Sequence, residues 1–234
     1  MFGAFFDTIK RGNAKHKKLL AQHTELSAGM SAYLATPLPL AQTPISQVSL
    51  LSVDFETTGL NSQHDHILSI GFTHANYRQV SLRNRYHQII DCPSSLDKEN
   101  VAIHQITDQD KQTGITTAQA LDDLLHALAG KIMLAHHAKI ECEFLTNACQ
   151  EIYGFSPLFP AIDTLLVEKR QLERLNKSYD PQDLRLINLR KKYRLPAHYQ
   201  HNALTDAIAT AELFLAQSAH YPIKDRPLLS DWLK

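Results

Sequence analysis

From residue 48 onward the apolar positions follow two alternating periods. Residues 48–55 (VSLLSVDF) are almost continuously apolar with β-branched members, the pattern of a strand buried on both faces. Residues 67–75 (ILSIGFTHA) repeat it, and a third strand falls within residues 80–90. The connection at residues 57–66 is too short for a helical crossover, so the first two strands are predicted to pair antiparallel. The period then lengthens. In residues 116–130, Leu121, Leu124, Leu125 and Leu128 recur at helical spacing and Gly130 supplies a stop. Residues 131–135 (KIMLA) read as a short strand. Helices are predicted at residues 138–153, 164–178, 183–193 and 203–219. Strands followed by alternating helices and strands predict an α/β fold, a mixed sheet with helices packed on it.

Before residue 48 the pattern is different. Residues 1–34 read as helical, through Phe5, Phe6, Ile9, Leu19, Leu20, Leu26, Met30 and Leu34, with Lys10, Arg11, Lys15, Lys17 and Lys18 making the early part basic. Pro37, Pro39 and Pro44 exclude regular helix from residues 35–47, leaving a linker or a strap along the surface. The division is therefore a helical N-terminal extension with a proline-rich linker at residues 1–45 and a main domain at 46–234. That basic extension could meet nucleic acid, an anionic surface or a protein partner.

Composition narrows the classes. The chain has 234 residues, 44% hydrophobic and 21% charged, which suits a globular domain able to bury a core without staples. Lys+Arg and Asp+Glu both number 24, so no global field draws the protein to nucleic acid, and any such binding must be local. The cysteines at 92, 142 and 149 form no CxxC pair, which speaks against a disulfide framework or a zinc-thiolate site and for a reducing, cytoplasmic setting. No window is apolar enough for a membrane span, and residues 1–6 are too short for a signal-peptide core.

The chemistry concentrates in three places. Asp54 and Glu56 end the first strand, and residues two apart project from one face. Two adjacent carboxylates repel, more so when buried, and a divalent cation resolves the conflict; oxygen-only ligands suit Mg²⁺ or Mn²⁺. An exposed strand end is the alternative. Thr57, Thr58 and Gly59 then offer hydroxyls, backbone N–H groups and a close approach. Near the C-terminus His201 precedes Asp206 by five residues, so a loop histidine sits beside an acid on the first turns of a helix. A histidine so placed can take a proton from a water held at a metal.

These strings resemble the DEDDh 3′–5′ exonucleases, the branch of the RNase H-like superfamily that holds the epsilon subunit of bacterial DNA polymerase III. Asp54-x-Glu56-Thr57-Thr58-Gly59 resembles the first motif, and His201 with Asp206 the third. Residues 135–145 (AHHAKIECEFL) resemble the second motif, usually H-N-x-x-F-D-x-x-F-L. His104-x-Ile106-Thr107 is similar to the family's H-G-I-T segment, and Asp163-Thr164 to an Asp-Thr pair that follows the second motif. The resemblance covers residues 48–218 in family order. It departs at the second motif, where Glu141 stands for the usual Asp and His137 and Ile140 for Asn and Phe. Phe144 and Leu145 set the register, which gives the carboxylate place to Glu141 and not Glu143.

The resemblance implies a five-stranded mixed sheet, its first three strands antiparallel. It implies Asp54, Glu56, Asp206 and Glu141 as ligands of two divalent cations, Mg²⁺ or Mn²⁺, with His201 as general base. Thr57, Thr58, Gly59, Leu60 and His104 would receive the terminal nucleotide. The expected function is 3′–5′ exonucleolytic hydrolysis of single-stranded nucleic acid, DNA in preference, with a polymerase or other protein as a partner of residues 1–45. An RNA-trimming exonuclease of the same chemistry and a catalytically silent binding module are the alternatives. His64-Asp65-His66 reads as a solvated loop, and residues 47–51, which resemble a clamp-docking peptide, as buried strand. The Lys/Arg-rich stretch 168–194 holds candidates for phosphate contact.

Overall fold

The computed structural model describes residues 3–93, 104–220 and 227–233. Its elements run α1 (Gly3–Gln22), α2 (Ala28–Ala35), β1 (Leu50–Thr57), β2 (Ile67–Ala75), β3 (Val80–Asp91), α3 (Asp108–Gln112), β4 (Ile115–Thr116), α4 (Thr117–Leu128), β5 (Ile132–Ala135), α5 (Lys139–Tyr153), β6 (Ala161–Asp163), α6 (Thr164–Arg174), α7 (Leu186–Lys192) and α8 (Ala203–His220). The strands form one sheet in the order β4-β3-β2-β1-β5-β6. β1, β2 and β3 are antiparallel neighbours, and β1, β5 and β6 are parallel. The sheet has six strands where five were expected. The extra one is β4, a two-residue strand pairing Ile115 and Thr116 in parallel with Ile90 and Asp91, too short to leave a periodic signature.

β1 is central, and its sequence explains why. Every residue but Asp54 is buried along its length, as a strand covered on both faces requires. Leu50 and Leu51 are fully buried, so the clamp-like string at 47–51 is core. Ser52 donates to the Ala207 carbonyl at 2.7 Å, which turns the face carrying Ser52, Asp54 and Glu56 toward α8.

The N-terminal helical stretch divides in two. Ser27 caps α2 by accepting from the Met30 N–H, which interrupts the helix expected over 1–34. At Gly29 an added Cβ would lie 1.9 Å from the Asp122 carbonyl oxygen; the missing side chain lets α2 press onto α4. α1 buries Ile9, His16 and Leu19, while Lys10, Arg11, Lys15, Lys17 and Lys18 are exposed. The side chains of Phe5 and Phe6 lie outside the described residues. The proline-rich segment is a strap: Leu38, Ala41 and Ile45 are buried with the sheet residues in one hydrophobic core, and Thr43 and Ala41 accept from the N–H groups of Leu229 and Ser230. The helix expected at 164–178 ends at Arg174, and that expected at 183–193 splits into a 3₁₀ turn at Pro181–Leu184 and α7. Cys142 and Cys149 lie on α5 as free thiols, and Cys92 is a third. No helix among the described residues is long and apolar enough to cross a membrane.

Candidate active site

Three elements bring the acids together. β1 carries Asp54 and Glu56 on its α8-facing side, and α8 brings Asp206 down to them. One carboxylate oxygen from each lies within 4.8 Å of the others. Gly71 makes the approach possible. It pairs with Asp54 across β1 and β2, and a Cβ there would sit 2.2 Å from Ala203 C and Leu204 N. The first turn of α8 thus rests on the bare backbone of β2, opposite Asp54. Asn202 fixes where the helix begins, its Oδ1 accepting from the Thr205 N–H at 3.1 Å.

Glu141 stands on the first turn of α5, 4% exposed, with Oε2 unpartnered. Glu143 is exposed and paired with Lys139 at 3.7 Å. α5 starts where it does because Asp163 accepts from the His137 and Ala138 N–H groups at 3.0 and 3.1 Å. Asp163 also caps α6 through Leu165 and Leu166. This acid is fully engaged by backbone donors, and burial raises its pKa. The His136 Nδ1 is 2.8 Å from the Thr164 hydroxyl, and burial lowers its pKa to about 4, so the ring is neutral.

The electrostatics are those of a crowded acidic site. Burial, then Glu141, Asp206 and Glu56, push the Asp54 carboxyl well above the usual range. Burial raises Glu141 to about 8, with Asp163 adding to it. Burial raises Asp206 as well, against the lowering effect of His198. Asp54, Glu141 and Asp206, each disfavoured as an anion by desolvation and by its neighbours, would give up their protons on binding a cation. The donor set is oxygen-rich, an orphaned Glu141 oxygen is available, and these residues fit a hard divalent ion.

Histidines ring this cluster. His104 Nδ1 contacts Glu56 Oε2. His201 is exposed, adopts a left-handed backbone at φ 61°, and sets its ring 6.1 Å from that of His104, edge to face. His198 Nε2 is 2.8 Å from Asp206 Oδ1. His198 belongs to no motif or period and was not singled out from the sequence; it lies in the loop between α7 and α8. Its closeness to His201 in the chain was the only available hint.

The Thr57–Leu60 turn is self-supporting. The Thr57 hydroxyl donates to the Gly59 carbonyl, and Thr58 and Asn61 donate to the Asp65 carboxylate. A Cβ on Gly59 would strike Asp65 Oδ2 at 2.5 Å. Asp65 is therefore the tie that folds this turn. Leu60 is left 77% exposed at its tip. Of the basic residues offered for phosphate contact, Arg190 is only 2% exposed; it is held by Glu212 and by the Ala209 and Pro196 carbonyls. Lys192 pairs with buried Glu168, and Arg170 donates to the Leu166 and Trp232 carbonyls. These three hold α6, α7, α8 and the C-terminal segment together.

The sheet order and the acids converging at the C-terminal end of its central strand define an exonuclease-type domain of RNase H-like fold. Residues 51–214 match the RNase_T exonuclease family, and the chain belongs to that family. The PolC-type DNA polymerase III of Thermotoga petrophila is 28% identical over 193 residues, covering 80% of this chain and 14% of that protein. The chain thus spans a small part of such relatives. The DNA polymerase III subunit epsilon of Treponema pallidum is 27% identical over 175 residues, covering 74% of this chain and 78% of that one. The nuclease domain of 3'hExo, a DEDDh family member solved with bound rAMP, superposes with a TM-score of 0.60 at 16% identity, over 71% of this chain and 90% of that one. That likeness is one of fold.

Proposed function

We propose that this protein is a metal-dependent 3′–5′ exonuclease that hydrolyses the terminal phosphodiester of single-stranded nucleic acid, DNA in preference. The observation that carries the reading is the convergence of Asp54, Glu56 and Asp206 within 4.8 Å. They would hold two divalent cations, Mg²⁺ or Mn²⁺, with Glu141 completing the set. Bound there, such ions supply positive charge to the scissile phosphate and acidity to water.

The chain's own residues do the rest. Asp54, which has Glu141, Asp206 and Glu56 as its charged neighbours, would serve both cations. His201, exposed beside the acids, takes the proton from the attacking water. Its accessibility suits a base that must meet solvent and substrate in turn. His198 holds the Asp206 carboxylate in orientation. His104 does the same for Glu56 and forms one wall for the terminal nucleotide. Thr57, Thr58 and Gly59 present a rigid turn to the sugar and phosphate, and exposed Leu60 offers an apolar surface to the last base. The exposed basic face of α1 supports residues 1–45 as the surface for a polymerase or other protein partner.

The names of the polymerase relatives favour DNA, whereas the rAMP held by 3'hExo supports an RNA-trimming enzyme of the same chemistry. A 5′-labelled DNA oligomer incubated with Mg²⁺ or Mn²⁺ should give a ladder shortening from the 3′ end. Unlabelled RNA added as competitor separates the two substrates. Asp54→Ala should abolish the ladder while leaving the fold intact. Near-normal hydrolysis by Asp54→Ala would remove the metal assignment. Oligomer binding by the wild-type protein without turnover would make it a silent module.

A further inference from the structure

Glu56 belongs to two clusters. One is the all-oxygen set with Asp54 and Asp206. In the other, a Glu56 oxygen and one ring nitrogen each of His104 and His201 lie within 4.8 Å of one another. The two share no other residue, and their chemistry differs. Mg²⁺ prefers oxygen and retains its waters, whereas imidazole suits Zn²⁺ and its neighbours in the transition series. Two imidazoles and one carboxylate, with coordination positions left open, form a donor set typical of zinc. The rings lie close by: His201 faces the His104 ring edge to face from a left-handed backbone, and the direct contact of His104 Nδ1 with Glu56 would open to admit the ion between them.

We infer that Glu56, His104 and His201 form a transition-metal site, selective for Zn²⁺ over Mg²⁺, whose occupation silences the proposed nuclease. Silencing follows from the ligands. A His201 nitrogen bound to zinc has no lone pair left to accept a proton from water. A Glu56 oxygen drawn to zinc is withdrawn from the carboxylate cluster. The same three residues therefore hold either the working arrangement or the zinc-bound one. The inhibitory consequence rests on the nuclease reading; the existence of the site does not.

The test measures metal binding without substrate. Zn²⁺ is titrated into the full chain in competition with a chromophoric chelator. Co²⁺ is titrated separately, because its visible absorption reports nitrogen ligation at low coordination number. His104→Asn and His201→Asn should each weaken zinc by about 10–100-fold and remove the cobalt bands. Asp54→Asn should keep zinc and cobalt while losing Mn²⁺. His201 is exposed, so its variant carries the test even where His104→Asn proves unstable by circular dichroism. The site is overturned if zinc affinity is unchanged in the histidine variants, or if it falls only in Asp54→Asn. Zinc added to the Mg²⁺-loaded protein should stop the 3′ ladder. Zinc bound as described by a protein that never cuts would sink the nuclease reading and leave the site. Hydrolysis indifferent to zinc would sink the inhibition.

Discussion

Glu141 is where this chain departs from the pattern its other motifs follow, and the structure gives the departure a measurable consequence. Its side chain is buried beside Asp54 and Asp163, while Glu143 two positions on is exposed and bound to Lys139. In the proposed mechanism Glu141 acts through its charge more than its length. Glu141→Gln should therefore cost most of the activity and weaken Mn²⁺, Glu141→Asp should retain measurable turnover, and Glu143→Gln should be neutral. Steady-state hydrolysis of one labelled oligomer decides among them. A dead Glu143→Gln beside a healthy Glu141→Gln would move the second motif by two residues. The histidines divide by contact. His201→Ala should lose ~10²–10⁴ in rate yet keep its cations. His198→Ala removes the partner of Asp206 and should show first as a weakened metal, read by calorimetry. Equal losses of rate with cation affinity untouched in both would refute this division. His201 was legible because its five-residue spacing to Asp206 is a motif. His198 was not, because its role comes from a loop closing in space.

At the scale of elements, the site depends on how closely α8 can lie on β2. Nothing was inferred from Gly71 in the sequence, although an isolated glycine within a strand is a sign of close backbone approach. What approaches cannot be read from that sign, since Ala203 and Leu204 lie far along the chain. Gly71→Ala would push a methyl into that contact. Overpacking of this kind costs ~1–3 kcal/mol, and its relief would carry Asp206 away from Asp54. The expected result is a lowered Tm together with a much larger fractional loss of metal affinity. A Gly71→Ala protein that loses stability but binds Mn²⁺ normally would show that α8 relaxes elsewhere. The strands were legible for a related reason. β1 and β2 bury both faces, so their composition alone marks them, and the short turn between them dictates their antiparallel pairing. β4 and the break before α2 rest on two strand residues and one serine cap, too local to stand out from the pattern around them. Charge counted along the basic stretch does not reveal which cations the fold consumes: Arg170, Arg190 and Lys192 are taken up by internal contacts, whereas Arg174, Lys177, Arg185, Lys191 and Arg194 stay exposed. Arg190 is buried within the α7–α8 junction it braces.

For the whole molecule, these groups set a dependence of stability on pH that a bound cation should reverse. In the metal-free fold Asp54 and Asp206 are raised and Glu141 titrates at about 8, against an ordinary value of 4.5. Between those values the folded protein holds protons that the unfolded chain has released, so stability is lost as pH rises through this range. His136 acts the other way. Lowered from 6.5 to about 4 by burial, it is neutral in the fold and protonated in the unfolded chain, so its contribution is lost as pH falls below 6.5. The two trends oppose each other in acid. His16, His74 and His87, also lowered by burial, act as His136 does, and as pH climbs past 6.5 these imidazoles fade and the carboxyls dominate among the described groups, so the metal-free Tm should decline toward pH 8. Saturating Mn²⁺ should abolish the decline, because a cation binds the ionised form and its affinity grows as protons leave. Glu141→Gln should flatten the metal-free curve, since the amide cannot ionise. Thermal melts across that range, with chelator and with Mn²⁺, read all three outcomes. A metal-free Tm that climbs from pH 6.5 to 8 would mean that the acids are not held protonated by their burial, and that the crowding inferred for Asp54, Glu141 and Asp206 is relieved by solvent instead.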